Sequence, residues 1–551
     1  MDSWTCINRY PRRVYRRSLG INELGFYYDS RINGTADMVN HAVVEVPDGV
    51  IRFAEDNVAR TWRSLKAQFP LLGATIRVED SVPHFIVAEE RLKTHVPDEI
   101  SLSCVSSDEE ARAAAAALIN GARTLSDDLL CRIIILSRTD AESTFHVLFH
   151  AAHLITDGVG NSTVLKGFLD IISSPDKRSS TPDLEARLSL AIAAEALVPS
   201  FKMSVASQRW RRAAGHIISK IRDAKRIGGH TLPRRFGPVA TRLPARSGAW
   251  SVCFFTTSFS PEDSLSFIQN CRKHSITFGN AYPVLAQAGL ARVLCRRYVR
   301  GDIIPEEWEF RKKQPYHTAG PINLRPFLDK DWFLGGGQRN LCLSIGFFFY
   351  TLPFIPLGPS HLAPGDDLPE LSALMSPKRF FMRCNIVKDH ASRFLHRPLF
   401  FETGAARLTG KVDIQKDVAA KWENNPEAYV EQAEVNKHSV SAIEQIGYGS
   451  VMGHGGSSFG NADGLVPREY PIHKTGASAR PLLYLRTSES LLHCRTGELY
   501  LGARTSGQQL HFIVYWDKNV FSEDLVREWV AEIQQATHMY LGGTQGLESK
   551  L

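Results

Sequence analysis

The stretch HAAHLITDGVGNS at His150–Ser162 decides how the rest of the chain is interpreted. In it, His153 precedes Asp157 by four residues, and Gly158 and Gly160 follow. Histidine can take up and return a proton near neutral pH, which suits it to general acid–base catalysis. Among 19 histidines roughly one His-x-x-x-Asp pair is expected by chance, so the motif must be judged by its setting.

The flanking residues supply that setting. Thr144–Phe149 (TFHVLF) has the β-branched and aromatic content of a strand. Downstream, we expect Asn161 or Ser162 to cap a helix over Val164–Ile172, with the glycines forming a tight turn before it. His153 would then lie where a strand leaves its sheet. The other interpretation is a buried strand-end histidine satisfied by backbone, followed by an aspartate that caps a helix.

Composition narrows the class of protein. At 551 residues the chain is too long for one compact core, and two lobes are expected. Its 43% hydrophobic and 22% charged residues are those of a soluble globular protein. A net charge of +7 suits an anionic ligand but does not indicate nucleic-acid binding. Nine scattered cysteines without a Cys-x-x-Cys or a His/Cys cluster indicate a reduced cytoplasmic protein without a metal site.

Two segments are candidates for a signal peptide or a transmembrane helix, and neither has the required pattern. Residues 1–20 are basic and polar, without the apolar core of a signal peptide. Residues 340–365 carry no charge but are interrupted by Pro353, Pro356 and Pro359. Because the apolar part is shorter than a membrane span, we expect a buried strand followed by an apolar loop, and no integral membrane span.

The order of predicted elements indicates an α/β (α+β) protein of mixed sheets. Helical patterns at 54–68 and 108–120 alternate with strands and hairpins, which argues against a doubly wound nucleotide fold. We divide the chain into an N-terminal lobe (1–205), a basic crossover helix with a linker (206–248), and a C-terminal lobe (249–551).

The crossover segment has an unusual charge. Residues 209–235 hold nine Lys/Arg and one acid, Asp223, with apolar residues at near-helical spacing. One interpretation is a helix that binds a membrane surface or a partner. The simpler one is a crossover helix with a solvated basic face.

The motifs of this chain and their order along it resemble those of the chloramphenicol acetyltransferase-like superfamily. That superfamily includes plant and fungal O-acyltransferases and the condensation domains of nonribosomal peptide synthetases. It carries His-x-x-x-Asp-Gly at a strand exit in its first lobe, which matches His153, Asp157 and Gly158. Further matching segments follow in the second half: CRKHSIT (271–277), GPINLRPFL (320–328), SSFG (457–460), and the final strands and helix LYLGA, LHFIVYWD and FSEDLVREWV.

Within the superfamily, the opening RRVYRRSLGINELGFYYDSRING is most similar to fungal secondary-metabolite acetyltransferases of the trichothecene 15-O-acetyltransferase type. The plant branch has an Asp-Phe-Gly-Trp-Gly loop in the second lobe, and nothing here matches it. That departure argues against the plant branch.

The resemblance implies a fold, a reaction and roles for residues. Two similar mixed-sheet lobes would face each other across a central channel. Acetyl-CoA or another acyl-CoA would be the co-substrate, a secondary-metabolite alcohol the acceptor, and His153 the general base. Asp157 would turn away from the channel and pair with Arg325, which supports the catalytic loop. The N–H of Gly158 would stabilise the oxyanion.

Other inferred positions depend on the same resemblance. Ser457 and Ser458 are candidates for the oxyanion site, and Thr277 with His274 for the channel wall. No metal and no nucleic acid are implied, and we expect a cytoplasmic monomer.

Two rival functions remain. Gly456–Gly460 (GSSFG) matches the Gly-x-Ser-x-Gly element of serine esterases, with Ser458 as nucleophile and Asp517 and His538 following in the required order. The turn-rich residues after Gly460 argue against the helix that this element needs. The second rival is a condensation-type acyltransferase whose donor is bound to a carrier protein.

Overall fold

The structure is a computed structural model that describes residues 3–8, 12–32, 34–47, 50–174, 183–234, 252–355, 362–424, 451–472, 480–495 and 497–542. Its strands are β1 (Thr5–Asn8), β2 (Val14–Ser18), β3 (Met38–Glu45), β4 (Thr75–Glu79), β5 (Val82–Ala88), β6 (Ile100–Val105), β7 (Cys131–Arg138), β8 (Thr144–Ala151), β9 (Val252–Ser258), β10 (Tyr316–Asn323), β11 (Ile345–Leu352), β12 (Met452–Asn461), β13 (Glu469–Tyr470), β14 (Leu483–Leu492), β15 (Leu499–Ser506) and β16 (Gln509–Asp517).

The helices alternate with these strands, as the sequence predicts for a mixed α/β protein. They are α1 (Ile21–Arg31), α2 (Glu55–Gln68), α3 (Glu89–Lys93), α4 (Asp108–Asn120), α5 (Gly158–Ser173), α6 (Leu184–Leu188), α7 (Val205–Lys225), α8 (Pro261–Lys273), α9 (Phe278–Val299), α10 (Pro305–Arg311), α11 (Lys330–Leu334), α12 (Leu371–Leu374), α13 (Pro377–Leu395), α14 (Phe400–Asn424) and α15 (Glu523–Leu541).

The first lobe is built on a six-stranded mixed sheet in the order β13-β14-β3-β8-β7-β6. Strand β8 runs antiparallel to both neighbours, β3 and β7. It is buried from Phe145 to Ala151, because α2 and α5 cover one face and α4 with the second lobe covers the other. A strand covered on both faces is apolar along its whole length, which is why TFHVLFHA does not alternate strictly. A separate four-stranded sheet, β1-β2-β5-β4, packs in the same lobe.

The second lobe holds the other six-stranded sheet, in the order β11-β10-β12-β15-β16-β9. Strands β10, β12 and β15 are parallel neighbours, whereas the outer pairs are antiparallel. Helix α9 is buried on nearly all sides between this sheet and α15, which explains its lack of a polar face. The predicted mixed α/β fold of two lobes is confirmed.

Two strands of the first sheet come from the second half of the chain. Strands β13 and β14 lie in sequence between β12 and β15 of the second sheet, yet β14 pairs with β3 of the first. The chain therefore crosses to the first lobe after β12 and returns before β15. The proposed boundaries at 205 and 248 stay predictions, but β13 and β14 of the segment assigned to the C-terminal lobe belong to the N-terminal sheet. A shared core that includes Val39, Leu148 and Tyr515 joins the lobes.

The crossover segment begins as predicted with a helix. Helix α7 packs along α14, and Gly215 allows the approach, because a Cβ there would lie 2.7 Å from Cβ of Glu402. Residues 235–248 of the predicted linker lie outside the described residues. None of the described helices is long and apolar enough to span a bilayer.

Candidate active site

His153 sits just beyond the end of β8, at the start of a single 3-10 turn, His153–Ile155. Its ring Nδ1 lies 2.7 Å from the carbonyl oxygen of Thr156. Because a carbonyl oxygen can only accept, Nδ1 carries the proton and donates it, and the lone pair is on Nε2. No described residue hydrogen-bonds Nε2, which remains accessible within the cavity described below.

An aromatic ring fixes the plane of the imidazole. Phe26 of α1 stacks on His153 with ring centroids 4.1 Å apart and 20° between the planes. On the Phe26 side, the Arg495 guanidinium lies 5.9 Å from the Phe26 ring centroid and pairs with Asp29 at 2.5 Å. Burial lowers the pKa of His153 below its ordinary value of 6.5, although the charge of Asp157 opposes the shift. His153 is therefore neutral at pH 7 and able to accept a proton.

Asp157 caps α5 with its side chain. Its Oδ1 accepts the N–H groups of Val159 at 3.1 Å and Gly160 at 2.9 Å. The expected cap at Asn161 or Ser162 is wrong, because α5 already starts at Gly158 and the carboxylate of Asp157 satisfies the N–H groups of its first turn. The side chain of Asn161 instead accepts a hydrogen bond from the Thr156 hydroxyl at 2.8 Å.

The second carboxylate oxygen of Asp157 makes the buried contacts. Its Oδ2 lies 2.8 Å from Nη1 of Arg325 and 2.9 Å from the N–H of Ser344. Arg325 is fully buried and also donates to the carbonyl of Cys342. Burial alone would raise the pKa of Asp157, but the Arg325 charge and the N–H donors outweigh it and lower the pKa. The same pairing outweighs burial for Arg325 and raises its pKa.

Gly158 and Gly160 do not play the structural role expected of them, a tight turn before the helix. Gly158 and Gly160 have helical backbone in the first turn of α5 and do not form a separate tight turn. A Cβ on Gly158 would lie 2.6 Å from the Phe459 ring of β12, so a larger residue here would displace that ring from its position beside the start of α5. As the first residue of the helix, Gly158 has an N–H without an acceptor inside the helix. That N–H is a candidate oxyanion donor.

A cavity of about 1160 Å³ runs between the lobes and is lined by both of them. Of the predicted site residues, the structure brings together on this lining His153, Asp157, Gly158, Arg325, Ser457 and Ser458. The strands opposite His153 are rich in small residues, including Gly455, Gly456 and Gly502, which leave the space open. The Ser457 hydroxyl is 2.7 Å from the Tyr500 hydroxyl.

Thr277 is the predicted site residue that the structure places elsewhere. It is exposed, and its hydroxyl donates to Oδ1 of Asn280 at 2.9 Å as part of the capping box of α9. His274 stacks on Phe381 at 3.6 Å between centroids, also exposed. Neither belongs to the cavity lining that the described residues form.

The esterase arrangement is not assembled. Ser458 lies within β12, which continues to Asn461 and is followed by a short 3-10 turn instead of a helix. Both carboxylate oxygens of Asp517 accept backbone N–H groups, from Gly497 at 2.8 Å and Asn519 at 2.9 Å. His538 packs against Phe259 and Phe267 instead. The geometry therefore does not support a serine triad.

The charges of the lining are predominantly positive. Nine basic side chains face five acids: Arg212, Arg234, Arg325, Arg407, Lys411, Arg468, Arg486, Arg495 and Arg504 against Asp157, Glu195, Glu402, Asp463 and Glu498. Five of the arginines pair with carboxylates: Arg325 with Asp157, Arg407 with Asp223, Arg468 with Asp463, Arg486 with Glu45 and Arg495 with Asp29. The described residues contain no cluster of three or more His, Cys, Asp or Glu placed to hold a metal ion.

Several residues of the site could not be found from the motif. Phe26 belongs to an ordinary helix near the N-terminus, and Phe459 and Tyr500 belong to strands. For Phe26 the sequence offered one indication, because it lies within the segment RRVYRRSLGINELGFYYDSRING on which the resemblance depends. Ser344 contributes a backbone N–H, which no residue type announces.

The strand order and the cavity between the lobes define an α/β protein built of two facing mixed-sheet lobes. No protein-family model and no curated protein sequence matches the chain. Solved structures do. TRI3 trichothecene 15-O-acetyltransferase from Fusarium sporotrichioides superimposes with a TM-score of 0.68 at 12% identity, over 98% of this chain and 97% of that one.

Condensation domains share the fold as well. That of the monacolin K polyketide synthase MokA has a TM-score of 0.58 at 8% identity, over 98% of each chain. The first condensation domain of the calcium-dependent antibiotic synthetase has a TM-score of 0.57 at 9% identity, over 96% of each chain. At these identities the comparisons establish the fold.

Proposed function

We propose that this chain is an acyl-CoA-dependent O-acyltransferase that transfers an acetyl group to a hydroxyl of a secondary metabolite of the trichothecene sesquiterpenoid type. The observation that carries the proposal is the state of His153. Its Nδ1 proton is held by the Thr156 carbonyl, which leaves an accessible Nε2 lone pair in a cavity between two lobes. That is the arrangement of a general base.

The reaction moves one proton through this nitrogen. The acceptor hydroxyl donates to Nε2, which removes the proton as the oxygen attacks the thioester carbonyl carbon. The tetrahedral intermediate then collapses, the C–S bond breaks, and the imidazolium returns the proton to the CoA sulfur. No acyl-enzyme forms. General base catalysis of this kind contributes about 10²–10⁴-fold to the rate.

Gly158 and Ser457 contribute to the oxyanion site in this proposal. The Gly158 N–H opens α5, where the helix dipole favours a developing negative charge. The Ser457 hydroxyl, oriented by Tyr500, and the neighbouring Ser458 supply donors from the second lobe. Asp157 acts through the loop: it ties α5 to Arg325 and so positions His153 without touching the substrate.

The positive lining suits the phosphates of CoA. Arg212 and Arg234 make no ion pair among the described residues, and burial lowers the pKa of Arg234. A phosphate would relieve this unfavourable burial of positive charge. CoA would carry the acyl group as a thioester, and its thiol would be the leaving group.

The alternative is a carrier-protein-dependent condensation-type acyltransferase, which the shared fold of condensation domains favours. The two functions differ in the donor. We expect thiol release from acetyl-CoA in the presence of an alcohol, at a rate that adding an acyl carrier protein does not raise. Turnover only with an acyl-carrier donor would replace the first proposal with the second.

The decisive experiment measures thiol release from acetyl-CoA across terpenoid and polyketide alcohols. His153→Ala should lower kcat by about 10²–10⁴-fold without changing the thermal midpoint. The matched control is His538→Ala, which removes a histidine outside the cavity lining and should leave turnover unchanged. Equal activity of His153→Ala and the wild type would refute the mechanism. Loss of turnover in His538→Ala, together with fluorophosphonate labelling of Ser458, would instead support the serine esterase.

A further inference from the structure

The outward face of α7 is apolar and exposed. Along the helix, every third or fourth residue on this face is alanine, tryptophan or isoleucine, and all are exposed: Ala206, Trp210, Ala213, Ile217, Ile221 and Ala224. The three large side chains keep 66%, 59% and 49% of their surface exposed, in chain order. This spacing places them on one stripe of the helix.

The stripe lies opposite the face that packs in the protein. Gly215 and Ser219 are the buried residues of α7, and they face α14. The helix therefore needs its inner face for the fold, and its outer face contributes nothing to the core. Seven of the 18 exposed large hydrophobic residues of the described chain fall between Phe201 and Ile227, so the exposure is concentrated here. Concentrated apolar exposure marks a binding surface.

Basic side chains border the stripe. Arg209, Lys220 and Lys225 are exposed and form no ion pair with any described residue. The one acid of the helix, Asp223, pairs with Arg226 and Arg407 on the other side. The stripe is therefore apolar at its centre and positively charged at its edge.

A cleft beside the stripe gives an independent indication of an anionic ligand. About 440 Å³ in volume, it lies between α7 and the start of α14 and is lined by Trp210, Ile218 and Leu399 with three arginines. Two of these, Arg222 and Arg397, are close enough that their like charges lower the pKa of Arg222, in addition to the effect of its burial. Neither makes an ion pair with a described residue, and an anion between them would remove the repulsion.

The start of α7 reaches the central cavity with the helix face that lies opposite the stripe. Phe201, Gln208 and Arg212, from the start of α7 and the turn before it, line that cavity. A ligand on the outer face of α7 therefore lies on the other side of the helix from this lining.

We propose that α7 docks on the surface of an anionic phospholipid bilayer. The helix lies parallel to the membrane, with Trp210, Ile217 and Ile221 in the interfacial region and the bordering Arg and Lys on acidic headgroups. A second copy of the chain fits less well, because two such faces would bring their positive edges together.

The test measures binding of the full-length protein to vesicles by co-flotation. We expect binding to vesicles of phosphatidylcholine with about 30% phosphatidylserine, weakened by salt, and little binding to pure phosphatidylcholine. The double variant Ile217→Asp/Ile221→Asp should lower the partition coefficient at least about tenfold. Thermal midpoint and acetyl-CoA turnover in detergent-free buffer should be unchanged, since neither residue lies in the core or the cavity.

The control is Leu265→Asp, which introduces one such negative charge at a similarly exposed apolar position on α8 and should bind like the wild type, whereas Ile217→Asp alone should already weaken binding. Three results would overturn the proposal. The first is a wild type that does not bind anionic vesicles, and the second is a double variant that binds as well as the wild type. The third is a stable dimer in sedimentation that the double variant dissociates, which would make the stripe an interface between copies.

Discussion

Replacing Asp157 with alanine isolates what the buried ion pair contributes. The substitution leaves the Arg325 guanidinium fully buried without its counter-charge, removes the acceptor of the Ser344 N–H, and uncaps α5. All three losses are local to the loop that carries His153.

The expected loss of stability can be worked out from these contacts. Removing one partner of a buried pair costs about 3–5 kcal/mol, and losing a helix cap costs about 1 kcal/mol. We therefore expect about 5 kcal/mol in the free energy of unfolding. With an unfolding entropy of about 2.1 cal/mol/K per residue over 551 residues, the entropy is about 1.2 kcal/mol/K, so the thermal midpoint should fall by about 4 °C.

Two further variants separate the causes. Asp157→Asn keeps a capping oxygen but loses the charge, so it should recover only the smaller part of the loss. Asp157→Ala combined with Arg325→Met removes both charges and should be more stable than Asp157→Ala alone. Differential scanning calorimetry of all four proteins measures this. A midpoint of Asp157→Ala within about 1 °C of the wild type, or a double variant less stable than Asp157→Ala, would refute the assignment of the pair.

Three other outcomes are expected. First, kcat/KM should fall tenfold per pH unit only below the pKa of His153, because protonation removes the base. Burial lowers that pKa below 6.5, so a decline that begins above pH 6.5 would contradict this. Second, Gly158→Ala should lower kcat/KM by about 10–100-fold, because its Cβ would lie 2.6 Å from the Phe459 ring. The control Gly410→Ala, which has open space around it and lies outside the cavity lining, should leave the rate unchanged. Third, Phe26→Leu removes the ring that stacks on His153 and should lower kcat more than it changes KM, with the thermal midpoint as the check on folding.

Much of the fold could be predicted because its signals are local. Strand β8, helices α2 and α4, and the final pair of strands with α15 lie close to their predicted positions, since apolar patterning and capping residues act within a few residues of one another. Helix α7 was likewise visible as a basic amphipathic pattern. The exchange of β13 and β14 was not, because nothing in a strand's own sequence says which sheet edge it joins.

The site divides in the same way. The sequence determined which histidine is the base candidate and that an aspartate and a glycine accompany it, because the motif lies within six consecutive residues. Only the tertiary structure decided the rest: that Asp157 caps α5, that Phe26 stacks on the imidazole, that Ser344 and Arg325 share one carboxylate oxygen, and that Thr277 points elsewhere. These contacts join residues up to 187 positions apart, and their geometry depends on how two sheets pack, which no short stretch of chain encodes.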